Sequence, residues 1–338
     1  MNSSAMNLKP LPIVDDCLFI DNSTLSNYTV CPRKFYYYAN EKRREASSKA
    51  ALTFGSNVHE ALAVRYKTFP TDSLKAQLAK LTEVWETNPV EPDDWRTLDI
   101  ACQLMVEYNN QFMMEEAVTE VVSDSQGPFV ERGFCVPFGE IKFDAETANA
   151  LEMPADKPNL KIFWIGKIDT IVRHRGSDLM VMDHKTTSMG GSSFFTEYHT
   201  SGQMRGYAWA ASQLLGERVC GAMVNALICR KPTKTGQGFD FSRELFYYDQ
   251  ESIDEWRRNT LHLISNIAEA QAKGYYPMHT TQCMGRYGRC EYQQVCMLPP
   301  THRQTMLESA LYEDVNWDPI KPKIEPLINE VVNEQEMK

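Results

Sequence analysis

The sequence predicts an α/β fold, in which a mixed β-sheet is flanked by helices and interrupted by a helical insert. Three observations carry that expectation. First, residues 160–188 hold two β-rich runs, Ile162 to Arg173 and Leu179 to Thr187, around the turn-prone Arg175-Gly176-Ser177-Asp178, which reads as a hairpin. Second, residues 219–229 form an unbroken apolar run typical of a buried strand, and residues 239–248 follow it after a Lys-Thr-Gly-Gln-Gly turn. Third, apolar residues recur at helical spacing over 71–87, 94–117, 203–215 and 250–273.

Taken in order, residues 1–22 read as an irregular lead-in. Ser23 is placed to cap a helix running through Tyr28, with Cys31 near its far end. The aromatic run Phe35 to Tyr38 reads as core. Residues 54–63 begin a helix on which Val58, Leu62 and Tyr66 share one face, with Gly55 allowing close backbone approach. Pro89 and Pro92 separate the two helices of an insert spanning about 70–118, which could act as a lid. Residues 129–143 alternate as a strand or hairpin that contains Glu131, either an exposed carboxylate or an acid near a metal. Residues 145–159 read as a loop. Lys273-Gly274 ends the last long helix, and residues 301–338 form a polar tail. The domain expectation is therefore a lead-in at 1–22, one domain over 23–300 and a tail at 301–338.

The chemistry concentrates in the hairpin. Asp169 lies inside its first strand and Asp183, His184 and Lys185 near the end of its second. Carboxylates in apolar strands are costly to bury without a cation or strong donors, and a divalent metal bridged by Asp169 and Asp183 would supply the cation. Period-two geometry places Asp183 and Lys185 on one strand face, where the ammonium can hold an attacking water. His59 is a further candidate ligand, since neutral imidazole suits a site with carboxylates. Gln203 and Tyr207, one helical turn apart, project together and can reach a phosphate or a water.

Composition bounds the function. The chain has 338 residues, 43% hydrophobic and 24% charged, and a net charge of −10. That charge does not advertise a nucleic-acid binder, but clusters such as Lys42-Arg43-Arg44 and Arg286 with Arg289 leave a focused basic groove open. No apolar run reaches membrane-spanning length and the first residues do not read as a secretory signal, so a cytoplasmic protein with no membrane partner is expected. Nine cysteines in such a chain argue against a disulfide framework. Cys283, Cys290 and Cys296 lie close together, and Cys31 is the natural fourth thiolate. Zinc or an iron–sulfur cluster would satisfy the set and join the N- and C-terminal regions.

Together these residues resemble the RecB-like branch of the PD-(D/E)xK nuclease superfamily, and within it the members with an iron–sulfur cluster, such as the AddB nuclease domain and CRISPR-adaptation and phage exonucleases. The resemblance rests on Ser26-x-Tyr28-x-x-Cys31-Pro32-x-x-Phe35, Gly55-x-x-x-His59-x-x-Leu62, Gly166-x-x-Asp169, Asp183-x-Lys185, Gln203-x-x-x-Tyr207 and the terminal cysteines, in family order. It implies a restriction-endonuclease-like core and a metal-dependent DNA exonuclease acting in recombination, repair or replication in a bacterial or phage-infected cell. In that reading His59, Asp169, Asp183 and the His184 carbonyl hold Mg²⁺ or Mn²⁺. Lys185 positions the hydrolytic water, and Gln203 and Tyr207 support the site and the DNA. Cys31, Cys283, Cys290 and Cys296 hold a 4Fe–4S cluster, with zinc as the alternative because Cys283-x₆-Cys290 is longer than the family's usual gap. DNA ends or single strands would be the substrate, with a recombination, helicase or CRISPR-adaptation protein as partner, since no Walker A motif is present. The competing expectation is a catalytically silent DNA- or partner-binding subunit stabilised by the cluster.

Overall fold

The computed structural model describes residues 13–14, 16–46, 49–68, 73–113, 118–153, 159–234, 236–285 and 288–315. In chain order the elements begin with β1 (Ile13–Val14), β2 (Cys17–Ile20), α1 (Asn22–Val30), α2 (Pro32–Phe35), β3 (Arg43–Glu45), α3 (Ala50–Thr68), α4 (Ser73–Thr87) and α5 (Leu98–Phe112). They continue with β4 (Thr119–Val121), β5 (Ser123–Asp124), β6 (Gly127–Pro128), β7 (Val130–Lys142), α6 (Ala145–Ala150), β8 (Asn159–His174), β9 (Asp178–Thr187), α7 (Ser192–Phe195) and α8 (Gly202–Leu215). The last are β10 (Gly221–Thr233), β11 (Gly236–Tyr247), α9 (Gln250–Ala272), β12 (Met284–Gly285), β13 (Gly288–Arg289), α10 (Gln293–Met297), α11 (Pro300–Leu307) and β14 (Tyr312–Asp314). Residues 23–300, expected as one domain, distribute over two compact units. One comprises 1–47, 134–166 and 254–338, and the other 48–133 and 167–253. No helix among the described residues is long and apolar enough to cross a membrane.

The unit of residues 48–133 and 167–253 is a mixed sheet with helices on its faces. The C-terminal part of β8 pairs antiparallel with β9 from Thr170↔Met182 to His174↔Asp178. β9 pairs parallel with β10 from Gly221↔Met180 to Ile228↔Thr187, and β10 pairs antiparallel with β11. Because β9 lies between two strands and is covered on both faces, Leu179 to Met182 form a continuous apolar run rather than an alternating one. Met180 and Met182 pack with Val58, Leu62 and Tyr66 of α3 and Tyr108 of α5. Gly55 of α3 faces Thr186 of β9: a Cβ there would lie 2.7 Å from the Thr186 hydroxyl, so any larger residue would force that side chain or the helix to shift. The neighbour is a side chain rather than the backbone expected from the sequence. α4 and α5 are the two helices of the expected insert.

The other unit uses the N-terminal part of β8, which pairs parallel with β2 from Cys17↔Lys161 to Ile20↔Trp164. Trp256 of α9 sits edge-on to Trp164 and to Phe138 of β7, each with centroids 5.5 Å apart. The Tyr28 hydroxyl of α1 donates to the Asn266 carbonyl at 3.2 Å. β14 pairs antiparallel with β3, and the ion pairs Arg44–Glu313 (2.8 Å) and Arg43–Asp314 (3.0 Å) run along the same register.

Four sequence expectations are corrected. The lead-in is not irregular over its described part: the short apolar run Cys17–Ile20 is fully buried and hydrogen-bonds as a strand. Asp21, not Ser23, caps α1, its carboxylate accepting the Thr24 N–H at 2.8 Å, since an ionised oxygen is the stronger acceptor one residue outside the helix. The loop expected over 145–159 contains α6, capped by Asp144. The tail contains the end of α11, together with β14; residues 316–338 lie outside the described residues.

Candidate active site

The site forms where the β8–β9 ladder stops. Beyond Thr170↔Met182 the carboxylate of Asp169 takes over from the backbone, its Oδ2 accepting the His184 N–H at 2.9 Å. Asp169 is 8% exposed. His59, on α3, brings its Nδ1 to 3.5 Å from the same oxygen. Glu131, at the start of β7 and also buried, completes a group with His59 and Asp169 whose ligand atoms all lie within 4.8 Å of one another. Two carboxylates and an imidazole at that spacing suit a hard or borderline divalent cation. Burial, reinforced by the Asp183 charge, pushes the Asp169 carboxyl up to about 6, as expected for an acid that lacks a full counter-charge.

Asp183 and Lys185 share a face of β9, as period-two alternation requires, and pair at 2.6 Å. Asp183 is 3% exposed and the Lys185 side chain 29%, so the carboxylate of the pair is buried while the ammonium stays partly open to solvent. Burial alone would pull the Lys185 ammonium down, but the Asp183 carboxylate, with Asp169 beyond it, outweighs burial and holds the ammonium charged. Lys185 Nζ donates to Gln203 Oε1 at 3.3 Å, and Gln203 Nε2 donates to the Tyr207 hydroxyl at 3.2 Å. Burial, then the Asp183 charge, raises the Tyr207 hydroxyl, so it stays protonated. α8 holds both residues in place: the Ser201 side chain caps its start and Gly216, at φ 63°, ends it.

The opposite face of β9 is equally polar and fully different in kind. The His184 ring stacks on Tyr66 at 5.1 Å, and its Nδ1 lies 2.8 Å from the Asn225 amide nitrogen of β10. Asn225 also bonds the Tyr108 hydroxyl at 2.8 Å and accepts from Arg243 Nε at 3.1 Å. Burial, with nearby cationic and imidazole charge, keeps His184 well below its usual range and therefore neutral. The imidazole lies on the strand face away from Asp183 and Lys185, edge-on to the His59 ring at 5.8 Å between centroids, while the His184 backbone N–H reaches Asp169.

Sequence reasoning left Glu131 undecided and missed Asn225. Glu131 takes φ 53°, the left-handed region where a non-glycine residue is strained, and it pairs with Lys167. Neither the strained backbone nor the partner is visible in an alternating strand pattern. Asn225 is a lone amide in an otherwise apolar run, and that interruption was its signal.

Of the cysteines, Cys31, Cys283, Cys290 and Cys296 line one small cavity of about 20 Å³. Burial raises the thiols of Cys290 and Cys296. The four line one cavity although Cys31 and Cys283 lie far apart in sequence; among the described residues, the group whose ligand atoms lie within 4.8 Å of one another is that of His59, Glu131 and Asp169.

No curated protein matches the chain. Among solved structures, a candidate exonuclease from Eubacterium rectale aligns over 82% of this chain and 86% of its own, at 12% identity and a TM-score of 0.42. A second, SSO0001, aligns over 62% of this chain and 74% of its own, at 14% identity and a TM-score of 0.23. The family assignment rests on sequence: the family model of the PD-(D/E)XK nuclease superfamily matches residues 22–297, and the chain belongs to that superfamily.

Proposed function

We propose that the chain is a divalent-metal-dependent DNA exonuclease that hydrolyses phosphodiester bonds from ends or single strands, in recombination, repair or replication. The observation that carries this reading is the Asp183–Lys185 pair beside the His59, Glu131 and Asp169 group. In this reading His59, Asp169 and Asp183, with the His184 carbonyl, hold Mg²⁺ or Mn²⁺, and the donor geometry adds Glu131 to them. Bound there, the cation would lower the pKa of water and neutralise charge on the phosphate.

The protein's own groups do the rest. Lys185 remains an ammonium, so it acts as a charge and a donor to water or phosphate, not as a base. Gln203 takes one of its hydrogen bonds and fixes its direction, while Tyr207 holds Gln203 from the next turn. His59 and Glu131 keep the Asp169 side of the site polar and charged. Cys31, Cys283, Cys290 and Cys296 hold a 4Fe–4S cluster or zinc with a structural role, a reading supported by their shared cavity. Partners that open duplex DNA, such as a helicase or a CRISPR-adaptation protein, complete it.

The test is degradation of end-labelled single- and double-stranded DNA by anaerobically purified protein with Mg²⁺ or Mn²⁺. Wild type should degrade DNA, while folded Asp183→Ala and Lys185→Ala should not, and the label position then gives polarity. Binding without cutting under either metal would replace this reading with the silent-subunit one. A brown protein with absorbance near the visible supports iron–sulfur; a colourless one with stoichiometric zinc supports zinc.

A further inference from the structure

Within the unit of residues 1–47, 134–166 and 254–338, a second cavity opens beside α2 and α11. It is separate from the cysteine cavity and has a volume of about 120 Å³. Its walls include Arg33, Tyr36, Tyr37, Tyr276, Arg303 and Gln304. No carboxylate is among the lining residues, in a chain whose net charge is −10. Neither arginine forms an ion pair among the described residues. Backbone carbonyls instead aim the two guanidiniums. Arg33 Nε donates to Tyr276 O at 2.7 Å, and Arg303 donates to Leu298 O at 3.0 Å and Cys296 O at 3.4 Å. Tyr37 is 2% exposed, and its hydroxyl, beside the Arg33 guanidinium, has no acceptor among the described residues.

A buried hydroxyl proton without an acceptor costs about 1–3 kcal/mol, and two charged forks that pair with no carboxylate, with the Cys296 thiol as their acidic neighbour, add to the demand for an anion. A cavity of that volume has room for a phosphate group. We propose that this cavity is a phosphate-binding site in which Arg33, Arg303 and the Tyr37 hydroxyl grip one phosphate of a DNA strand. The source of the phosphate, though not the chemistry of the pocket, rests on the nuclease reading above. Inorganic phosphate offers the same oxygens and is the rival source.

The experiment uses the full chain carrying Lys185→Ala, in EDTA, so that binding is read without cleavage. Anisotropy of a fluorescent single-stranded oligonucleotide is followed from low to moderate salt, and calorimetry follows inorganic phosphate. Arg303→Gln should weaken strand binding roughly tenfold, the effect of one lost charge-assisted contact. It should also flatten the log–log salt slope by about 0.7, the value for one single-strand phosphate. Tyr37→Phe, which keeps the ring and removes only the hydroxyl, should act in the same direction and guards against misfolding of the arginine variant. Unchanged affinity and slope in both variants overturn the site. So does an Arg303→Gln protein that loses only metal at the cysteines, because the guanidiniums then serve the thiolates. Phosphate binding lost in both variants with strand affinity intact overturns the DNA source. Loss of strand affinity in a protein whose wild type cuts nothing leaves this pocket standing and sinks the nuclease reading alone.

Discussion

The two faces of β9 carry alternate residues of one ten-residue strand, yet they solve opposite problems. On one face, a buried Asp183 and a partly exposed Lys185 have few fixed partners, and their charges act on Asp169 and Tyr207. On the other, His184 is neutral and locked by Tyr66 and Asn225, which Tyr108 and Arg243 hold in turn. A polar network that holds its members in place specifies register, and a one-residue slip would exchange the faces. The inert face therefore places the reactive one.

The sharpest way to break this comparison is at the reactive face. Lys185→Ala should lower the rate of DNA hydrolysis on the order of 10²- to 10³-fold, as for loss of one preorganised charged donor, and because it leaves the buried Asp183 carboxylate without its partner it should also lower urea stability in EDTA. Asn225→Leu on the inert face should act through stability alone, costing about 1–3 kcal/mol in urea unfolding by stranding its partners, with activity falling only as far as the strand shifts. Gly55→Ala pushes a methyl group to 2.7 Å from the Thr186 hydroxyl and should cost about 1–3 kcal/mol, which Thr186→Ala in the same chain should partly restore. Tyr207→Phe keeps the ring and loses the acceptor of the Gln203 amide. It should cost about 0.5–1.5 kcal/mol of transition-state stabilisation, measured as kcat/KM.

A pH scan sharpens the same contrast. The Asp169 carboxyl, raised to about 6, holds its proton longer in the folded chain than in the unfolded one. Its contribution to stability is fully present below the ordinary carboxylate range and is lost as pH rises through 6. In EDTA the Tm should therefore fall over that window, and Mn²⁺ should reduce the fall. A Tm that is flat over the window in EDTA would argue that Asp169 is ionised throughout.

Much of the sheet was legible because its strands are contiguous and apolar: β8, β9, β10 and β11 lie where the runs predicted them. Asp183 and Lys185 share a face by simple alternation. Gln203 and Tyr207 stand one turn apart on a helix that begins and ends where Ser201 and Gly216 dictate. Glu131 stayed undecided because its position depends on a left-handed backbone and on Lys167, both tertiary facts. β2 escaped notice because four apolar residues are too few to show a period, and only pairing with β8 makes them a strand. The cavity of Arg33 and Arg303 joins residues that no local pattern connects.

The unit that holds the cysteines is assembled from three separated stretches of chain, and a ribosome delivers them in order. All segments of the unit with the carboxylates have been made by residue 253, whereas Cys31 must wait for Cys283, Cys290 and Cys296 near the end of synthesis. At about 5–20 residues per second that delay lasts on the order of tens of seconds. Through that interval the Cys31 thiol is on a nascent chain without its partners, open to oxidants and to whichever metal arrives first. On the proposal that these four cysteines hold a metal or cluster, its occupancy in the finished protein should therefore depend on translation rate and on the redox state of the cell that makes it.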